Sequence, residues 1–513
     1  MSDRAPPNVV VMVLDCVRAF DFPGGRSPVE ATPFLRSLAP EMASFSRAVS
    51  PSAWTIPSHA SLFSGLYPWE HGMHLKGTLQ FDSSLPTIAS MLQREGYASY
   101  SLSANGFISP EFGLTSGFQQ AAWGAWWERF ARVFSSRDRP PCTWSESTPL
   151  PVSGSAPNDP AGLPPAFQAV SRAVHPFVQD RDPFWMPLAI NALNRTASGV
   201  VRPSEPYSLD LSPWIESAFS GWLAAQPSTQ PVFGFINFLD AHEPYFTDPR
   251  RVTGPLEWWQ YAALRMDKTR ALAGTWNPTA REYRMIHRLY RDSIAQLDAR
   301  IGRVVRSLRE CGRWENTLFV LTSDHGQAFG EHDFLFHGYR VWEPVLRVPL
   351  WVHFPHGEHA GETSDSWASL IDVAPTVLEA VGLSPQAFPS AFPLTSLLQR
   401  PRPAPVVGIA DGVHVRPVLE SLCGPERLRF WDGPMVATYD GDRKVIRDVW
   451  GDRESVYDLS TDPDELNDLG DAAGSSVDGL RGLARDAGRR LTSTPAASQS
   501  PEVENRLRSW GYC

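Results

Sequence analysis

Cysteine is scarce in this chain: five residues in 513, at positions 16, 142, 311, 423 and 513, odd in number and with no two close together. That distribution excludes a disulfide framework and a zinc ribbon, and it points to a reducing compartment. Long apolar runs are missing as well. The N-terminal "MSDRAPPNVVVMVLDCVRAF" offers only Val9 to Leu14, too short for a secretion signal and far too short to span a bilayer, and no 18-residue apolar stretch follows. Together these features point to a cytoplasmic protein without a membrane span. Positive charge is not in excess either: the formal net charge of -10 argues against nucleic acid or an anionic membrane as main partner. There are no internal repeats, so nothing indicates a solenoid. What remains, 42% apolar and 20% charged residues, is an ordinary globular composition. The length suits one large domain with a smaller one, or two to three ordinary domains, and leaves the oligomeric state open.

The pattern along the chain alternates. "NVVVMVLDCVR" reads as a buried parallel strand ending at an acidic residue. "LPTIASMLQREGYASYSLSANGF" reads as a helix stopped near Gly96, then a strand ending at Asn105. "PVFGFINFLDAHEPY" is another buried strand, ending at Asp240 and His242. A long amphipathic helix follows, with Ile286, Leu289, Ile294, Leu297, Ile301, Val304 and Leu308 on one face and Gly312 as its stop. It leads into "TLFVLTSDHG", a strand ending at Asp324 and His325, and "VPLWVHFP" is one more. Strand-helix-strand repetition predicts an α/β fold, with a large, mostly parallel central sheet sandwiched by helices. Residues 1–400 form this catalytic domain, interrupted from about Ala121 to Gln230 by a Pro- and Trp-rich insertion containing Trp123, Trp126 and Trp127. After the proline-rich joint "QRPRPAPVV", alternating segments predict a small antiparallel subdomain and tail over 401–513.

In such sheets ligands bind beyond the carboxyl ends of the strands. Polar residues fall there in four places: Asp15, Asn105, Asp240 with His242, and Asp324 with His325. Thr55, in "SAWTIPSHASLFSGLYPWEHG", stands just before a short run with helical spacing. Taken singly, these residues have plain readings: strand-end aspartates serve as helix caps or turn residues, and Thr55 as an N-cap. Taken together, Asp15, Asp324, His325 and Thr55 suffice to hold one divalent ion, and Asp240, His242 and His337 a second. Two such ions about 4 Å apart would clamp the attacking and leaving oxygens of an in-line displacement. Imidazole mixed with carboxylate favours Zn²⁺ or Mn²⁺ over Ca²⁺, which stays possible. The helix after Thr55 would aim free N–H groups at a bound oxyanion. This spacing alone describes a metal-dependent hydrolase.

Several ordered motifs carry a resemblance. "PNVVVMVLDCVRA", "ATPFLRSLAPEMASFSRAVSPSAWTIPSHASLFSGLYPWEHG", "DAHEPY", "TSDHGQAFGEHDFLFHG", "LRVPLWV", "LIDVAPTVLEAVGL" and "VYDLSTDPDELNDL" resemble, in order, the signatures of the sulfatase-like branch of the alkaline phosphatase superfamily. The resemblance implies a large sheet between helices with a small C-terminal antiparallel sheet. It assigns Asp15, Asp324 and His325 to a metal and Thr55 to the nucleophile position. His242 and His337 would contact the ester or its leaving group, or bind a second metal with Asp240. Asn105 in "ANGF" is similar to a phosphate-contacting asparagine of nucleotide pyrophosphatase/phosphodiesterases. Single-metal lipoteichoic acid synthases and phosphoethanolamine transferases also use Thr, Asp-His and a later His.

The departures bear on chemistry. Sulfatases of this family modify Cys or Ser in Cys-x-Pro-x-Arg to formylglycine; here that place reads Thr55-Ile56-Pro57-Ser58-His59, and threonine cannot make that aldehyde. His59 stands where the arginine that accompanies it would be, and is a candidate substrate-binding residue. Cys16 replaces an acidic neighbour common beside the first metal aspartate, which would weaken calcium binding. "CGPER", Cys423 to Arg427, satisfies the modification pattern literally but lies in the presumed C-terminal subdomain with no metal ligand beside it. The resulting expectation is a metal-dependent hydrolase of phosphate mono- or diesters acting through a phosphothreonine. A phosphoryl transferase to an alcohol or amine, a sulfuric ester hydrolase and an inactive metal-binding relative are the alternatives. The expected partner is a small phosphoester or sulfate ester.

Overall fold

A computed structural model describes residues 5–74, 77–124, 211–243, 245, 268–411, 423–425, 433–493, 500, 501 and 503. Among the described residues before position 400 there are ten strands: β1 Asn8–Leu14, β2 Ala43–Val49, β3 Ala98–Ser103, β4 Gln120–Trp123, β5 Val232–Phe238, β6 Thr317–Thr322, the short β7 Ala328–Phe329 and β8 Leu335–Phe336, β9 Leu350–His353 and β10 Thr363–Ser369. Eight of them form one sheet in the order β10-β2-β9-β6-β1-β5-β3-β4, while β7 and β8 pair as a separate ribbon. Every neighbouring pair is parallel except those of β9, which runs antiparallel to both β6 and β2. Because β9 reverses twice, β2 points the same way as β6, and the segment after β2 emerges at the edge where β1, β3, β5 and β6 end. That edge carries the candidate residues.

β1 is apolar after its first residue because both of its faces are covered. Val9, Val11 and Val13 join Phe233, Phe235, Leu318 and Val320 on one face, against α1 Thr55–Ser64, α2 Ile88–Arg94 and α5 Val373–Ala380. Val10, Met12 and Leu14 join Ile236, Phe238, Phe319 and Leu321 on the other. There they meet Ile215, Phe219 and Leu223 of α3 Ser212–Ala225 and the predicted apolar stripe of α4 Ala280–Glu310. Each such aliphatic side chain taken from water contributes about 1.5–3 kcal/mol, so the two faces together dominate the stability of the sheet. α4 begins in a capping box, with the Glu282 N–H donating to Thr279 Oγ1 at 3.2 Å and the Thr279 N–H donating to the Glu282 carboxylate at 2.7 Å. It ends just before Gly312, whose φ of +66° no β-carbon opposes.

The C-terminal sheet, β11 Val406–Ala410, β12 Met435–Asp440, β13 Arg443–Asp448 and β14 Arg453–Asp458, is antiparallel throughout, and α6 Asp478–Ser493 packs Leu480, Ala484, Ala487 and Leu491 on one side of it. The α/β class, the mostly parallel central sheet and the small antiparallel sheet are thus as read from sequence. Two boundaries need restating. Trp123 closes β4, an edge strand of the main sheet, so helical spacing does not start there; Trp126 and Trp127 lie outside the described residues. At the far end of the expected insertion, α3 packs on β3, β5 and α4 as part of the main core. Residues 125–210 between these ends also lie outside the described residues. Among the described residues no helix is long and apolar enough to cross a membrane.

Candidate active site

Thr55 is the first residue of α1 and is 4% exposed; Trp54 occupies the N-cap position, so Thr55 is not the cap. Its Oγ1 lies 3.5 Å from His325 Nε2 and 3.4 Å from Asn105 Nδ2. The Asn105 amide is fixed in this sense because its Oδ1 accepts the Phe107 N–H at 3.0 Å, leaving the NH₂ to reach Asp15 Oδ2 at 2.9 Å as well as Thr55. Ser58, one turn along α1, donates to the Asp324 carbonyl oxygen at 2.6 Å, and Ser50 donates to the same oxygen. These two hydroxyls tie the start of α1 to the end of β6.

Asp15 and Asp324 are buried carboxylates facing this point. Asp324 Oδ1 accepts the backbone N–H groups of His325 at 2.9 Å and Cys16 at 3.3 Å. Asp324 Oδ2 and Asp15 Oδ1 have no hydrogen-bond partner although both are fully shielded from solvent. An ionised oxygen left so is costly. Burial accordingly pushes both carboxyls up to about 6; for Asp15 the Asp324 charge adds to this, and for Asp324 the two backbone N–H groups partly offset it. Two orphaned carboxylate oxygens beside an imidazole are the donor set of a divalent cation. Asp15, Asp324 and His325, with Thr55, would hold one and would regain there the solvation that burial removes.

A second cluster adjoins the first. His325 and His337 have ring centroids 4.4 Å apart, and His337 and His242 5.0 Å apart. The Gln327 amide accepts from or faces His337 Nδ1 at 2.6 Å through Oε1, and its NH₂ donates to Glu243 at 3.2 Å and Tyr245 at 2.7 Å. Cys16 Sγ lies 3.5 Å from His337 Nδ1 and 3.8 Å from His325 Nδ1, at the junction of both clusters. Burial holds this thiol well above its usual range. Cys16, Tyr245 and Phe336, beside this site, all have positive φ, 66°, 59° and 79°, an uncommon backbone for non-glycine residues. Tyr290 of α4 braces the first of these turns, accepting the Arg18 N–H at 2.9 Å and donating to the Cys16 carbonyl at 3.2 Å.

Two sequence expectations need correction. Asp240 does not join His242 and His337. Its carboxylate is held at 2.6 Å by Arg300 Nε and at 2.5 Å by Ser212, buried between α3 and α4, because the strand end turns between residues 240 and 242. Glu243 and Cys16 stand beside those histidines instead. His59 is completely buried against Phe63 and Phe235, with Nδ1 2.9 Å from the Thr55 carbonyl and its pKa lowered by desolvation to about 3. It is neutral and supports the first turn of α1 rather than lining a substrate surface. Glu243 and Gln327 were within the quoted motifs, "DAHEPY" and "DHGQAFG", but neither falls at a strand end, so position gave no signal for them. In the "CGPER" segment Cys423 is part-buried and Arg427 lies outside the described residues.

Comparison with known proteins agrees with this architecture. A family model described as sulfatase matches residues 7–383. Arylsulfatase K of Xenopus laevis is 28% identical over 233 residues, 44% of this chain and 41% of the relative, so that match spans about two-fifths of its length. Choline-sulfatase of Rhizobium meliloti is 23% identical over 491 residues, covering 92% of this chain and 84% of the relative. Among solved structures, the phosphonate monoester hydrolase of Agrobacterium radiobacter superposes with a TM-score of 0.61 at 20% identity, over 95% of each chain. With a family model matching residues 7–383, most of its length, the chain belongs to the sulfatase family of the alkaline phosphatase superfamily.

Proposed function

We propose that this chain is a metal-dependent hydrolase that prefers phosphorus esters, diesters or monoesters, to sulfate esters, with Thr55 as nucleophile. One observation carries the reading. At the first turn of α1, the position of the family's modified residue holds an unmodifiable threonine, whose Oγ1 stands 3.5 Å from His325 Nε2 and 3.4 Å from Asn105 Nδ2, beside two buried carboxylates with unpartnered oxygens. Asp15, Asp324 and His325 would hold a divalent ion, which would supply charge stabilisation and lower the pKa of a bound hydroxyl.

The chain's own groups supply the rest. Thr55 Oγ1 forms a bond to phosphorus as the bond to the leaving oxygen breaks, and the proton shed by Thr55 departs with the alcohol. Water then adds to the phosphothreonine, returning the hydroxyl and releasing phosphate or its monoester. The Asn105 NH₂ and the free N–H groups opening α1 donate to the non-bridging oxygens. His242 and His337 line the leaving side. A formylglycine hydrate expels sulfate by breaking its own C–O bond, whereas a threonine sulfate has no such exit and accumulates. A phosphate monoester dianion carries more charge than a sulfate monoester, so a cationic site stabilises its transfer more strongly; for the singly charged diesters the preference rests on the exit open to the phosphothreonine.

The test compares kcat/KM for matched aryl phosphate diesters, monoesters, phosphonates and sulfates on protein shown by mass to be unmodified. The phosphorus esters are expected to lead, with a phosphorylated enzyme trapped by acid quench. Multiple turnovers on the sulfate at equal or higher efficiency overturn the reading.

A further inference from the structure

We infer that Cys16, His242, Glu243 and His337 form a second, thiolate-containing metal site selective for a borderline-soft ion such as Zn²⁺ over Ca²⁺. One donor atom from each of these residues falls within 4.8 Å of all the others. The side chains approach closely: Cys16 Sγ to His337 Nδ1 is 3.5 Å, His337 Nδ1 to Glu243 Oε2 3.8 Å, and His242 Nδ1 to Glu243 Oε2 3.6 Å. A tetrahedral zinc with bonds of about 2.3 Å to sulfur and about 2.0 Å to nitrogen or oxygen holds its ligands roughly 3.3–3.6 Å apart. The four donors, all within 4.8 Å of one another, reach that spacing by closing on the ion.

The surroundings fit the same assignment. His337 Nδ1 donates to Gln327 Oε1 at 2.6 Å and His242 Nδ1 to the Glu243 carbonyl at 2.7 Å, which leaves the other ring nitrogen of each for the ion, while the Gln327 NH₂ donates to Glu243; such outer contacts fix the orientation of ligands. Cys16 and His337 are buried while His242 and Glu243 are only partly so, which leaves one side of the cluster open to solvent or substrate. Sulfur and imidazole suit Zn²⁺, whereas Ca²⁺ takes six to eight oxygens and finds one carboxylate here. Uptake is balanced by the proton that the thiol releases to solvent when the metal–sulfur bond forms. Asp240, engaged by Arg300, takes no part.

The inference rests on the metal-dependent reading of the neighbouring Asp15–Asp324–His325 site, and the two fail separately. Full-length protein stripped by a chelator is titrated with Co²⁺ and followed by metal content and by thiolate-to-cobalt charge-transfer absorption in the near ultraviolet. The parent is expected to bind two ions per chain and to show that band. Cys16→Ser should hold one ion and lose the band; Asp324→Asn should hold one ion and keep it. Glu243→Gln, which leaves the thiol in place, should keep the band while weakening that site at least about tenfold, as loss of a ligand charge predicts. One ion and no band in the parent overturns the thiolate site and leaves the first site standing. No ion at all removes both. Two ions in Cys16→Ser, or two ions in the parent without the band, overturns the assignment of the thiol.

Discussion

A threonine hydroxyl is a weak nucleophile in water, and at Thr55 every feature that alters this comes from another part of the chain. Asn105 arrives from the end of β3, His325 from the end of β6 and Asp15 from the end of β1. Thr55→Ala is expected to lower kcat/KM by at least about a thousandfold while leaving metal content and thermal stability close to the parent. The stability half of that expectation follows from Trp54, not Thr55, being the N-cap of α1, so no cap is lost. Thr55→Ser keeps a hydroxyl at the same place and should retain most of the activity. Steady-state kinetics with metal analysis checks both variants, and an active alanine variant removes Thr55 from the mechanism.

At the scale of elements, the site depends on how the end of β6 meets the helix of residues Glu343–Leu346. Gly326, directly after His325, donates its N–H to the Val345 carbonyl at 2.7 Å, and a β-carbon there would lie 2.1 Å from the Pro344 carbonyl oxygen. The obstacle is backbone, which cannot swing aside as a flexible side chain would. Gly326→Ala should therefore push the His325 segment out of place. The expected cost is about 1–3 kcal/mol of stability, together with loss of metal from the Asp15–Asp324–His325 cluster. Urea unfolding and metal content measure the two effects. An alanine variant with parental values for both would show that this junction has slack.

Across the whole molecule, the C-terminal sheet is wired into the edge that carries the candidate site. The Ala53 N–H donates to the Ile409 carbonyl at 2.8 Å and Trp54 Nε1 to Asp411 at 2.7 Å, so β11 and the residue after it brace the two residues preceding Thr55. Lys444 of β13 is completely buried and reaches the Val341 carbonyl at 2.7 Å, Glu343 at 3.1 Å and Glu465 at 2.5 Å. Lys444→Ala would leave two carboxylates buried without their ammonium and should cost about 3–5 kcal/mol. The two carboxylates share Lys444, and only Glu343 also has Arg347 beside it. Glu343 is held below its usual range by Lys444 and Arg347 against the cost of burial, while burial raises Glu465 to about 7. A folded pKa above the ordinary 4.5 means that stability from Glu465 is full below that value and is lost as pH rises through about 7. Glu465→Gln should accordingly flatten the decline in stability between about pH 4.5 and 7, which denaturation midpoints across that range would show. An unchanged slope would mean that another group is responsible.

The apolar strands, the stripe of α4 with its stop at Gly312, and the polar residues at strand ends were legible from the order of residues because they follow short-range rules. Period-2 and period-3.6 burial, and the tendency of parallel sheets to gather polar groups at their carboxyl ends, require no knowledge of distant partners. Thr55, Asp15, Asp324, His325 and Asn105 belong to this set. The direction of β9, the burial of His59 and the membership of the second cluster were not legible. Asp240 and Glu243 are three residues apart, and either could meet His242 in a linear reading. The choice falls to Arg300, sixty positions away on α4, which draws Asp240 into the core and leaves Glu243 facing Cys16 and His337. That selection is made by charge pairing between elements that only packing brings together, and no local pattern encodes it.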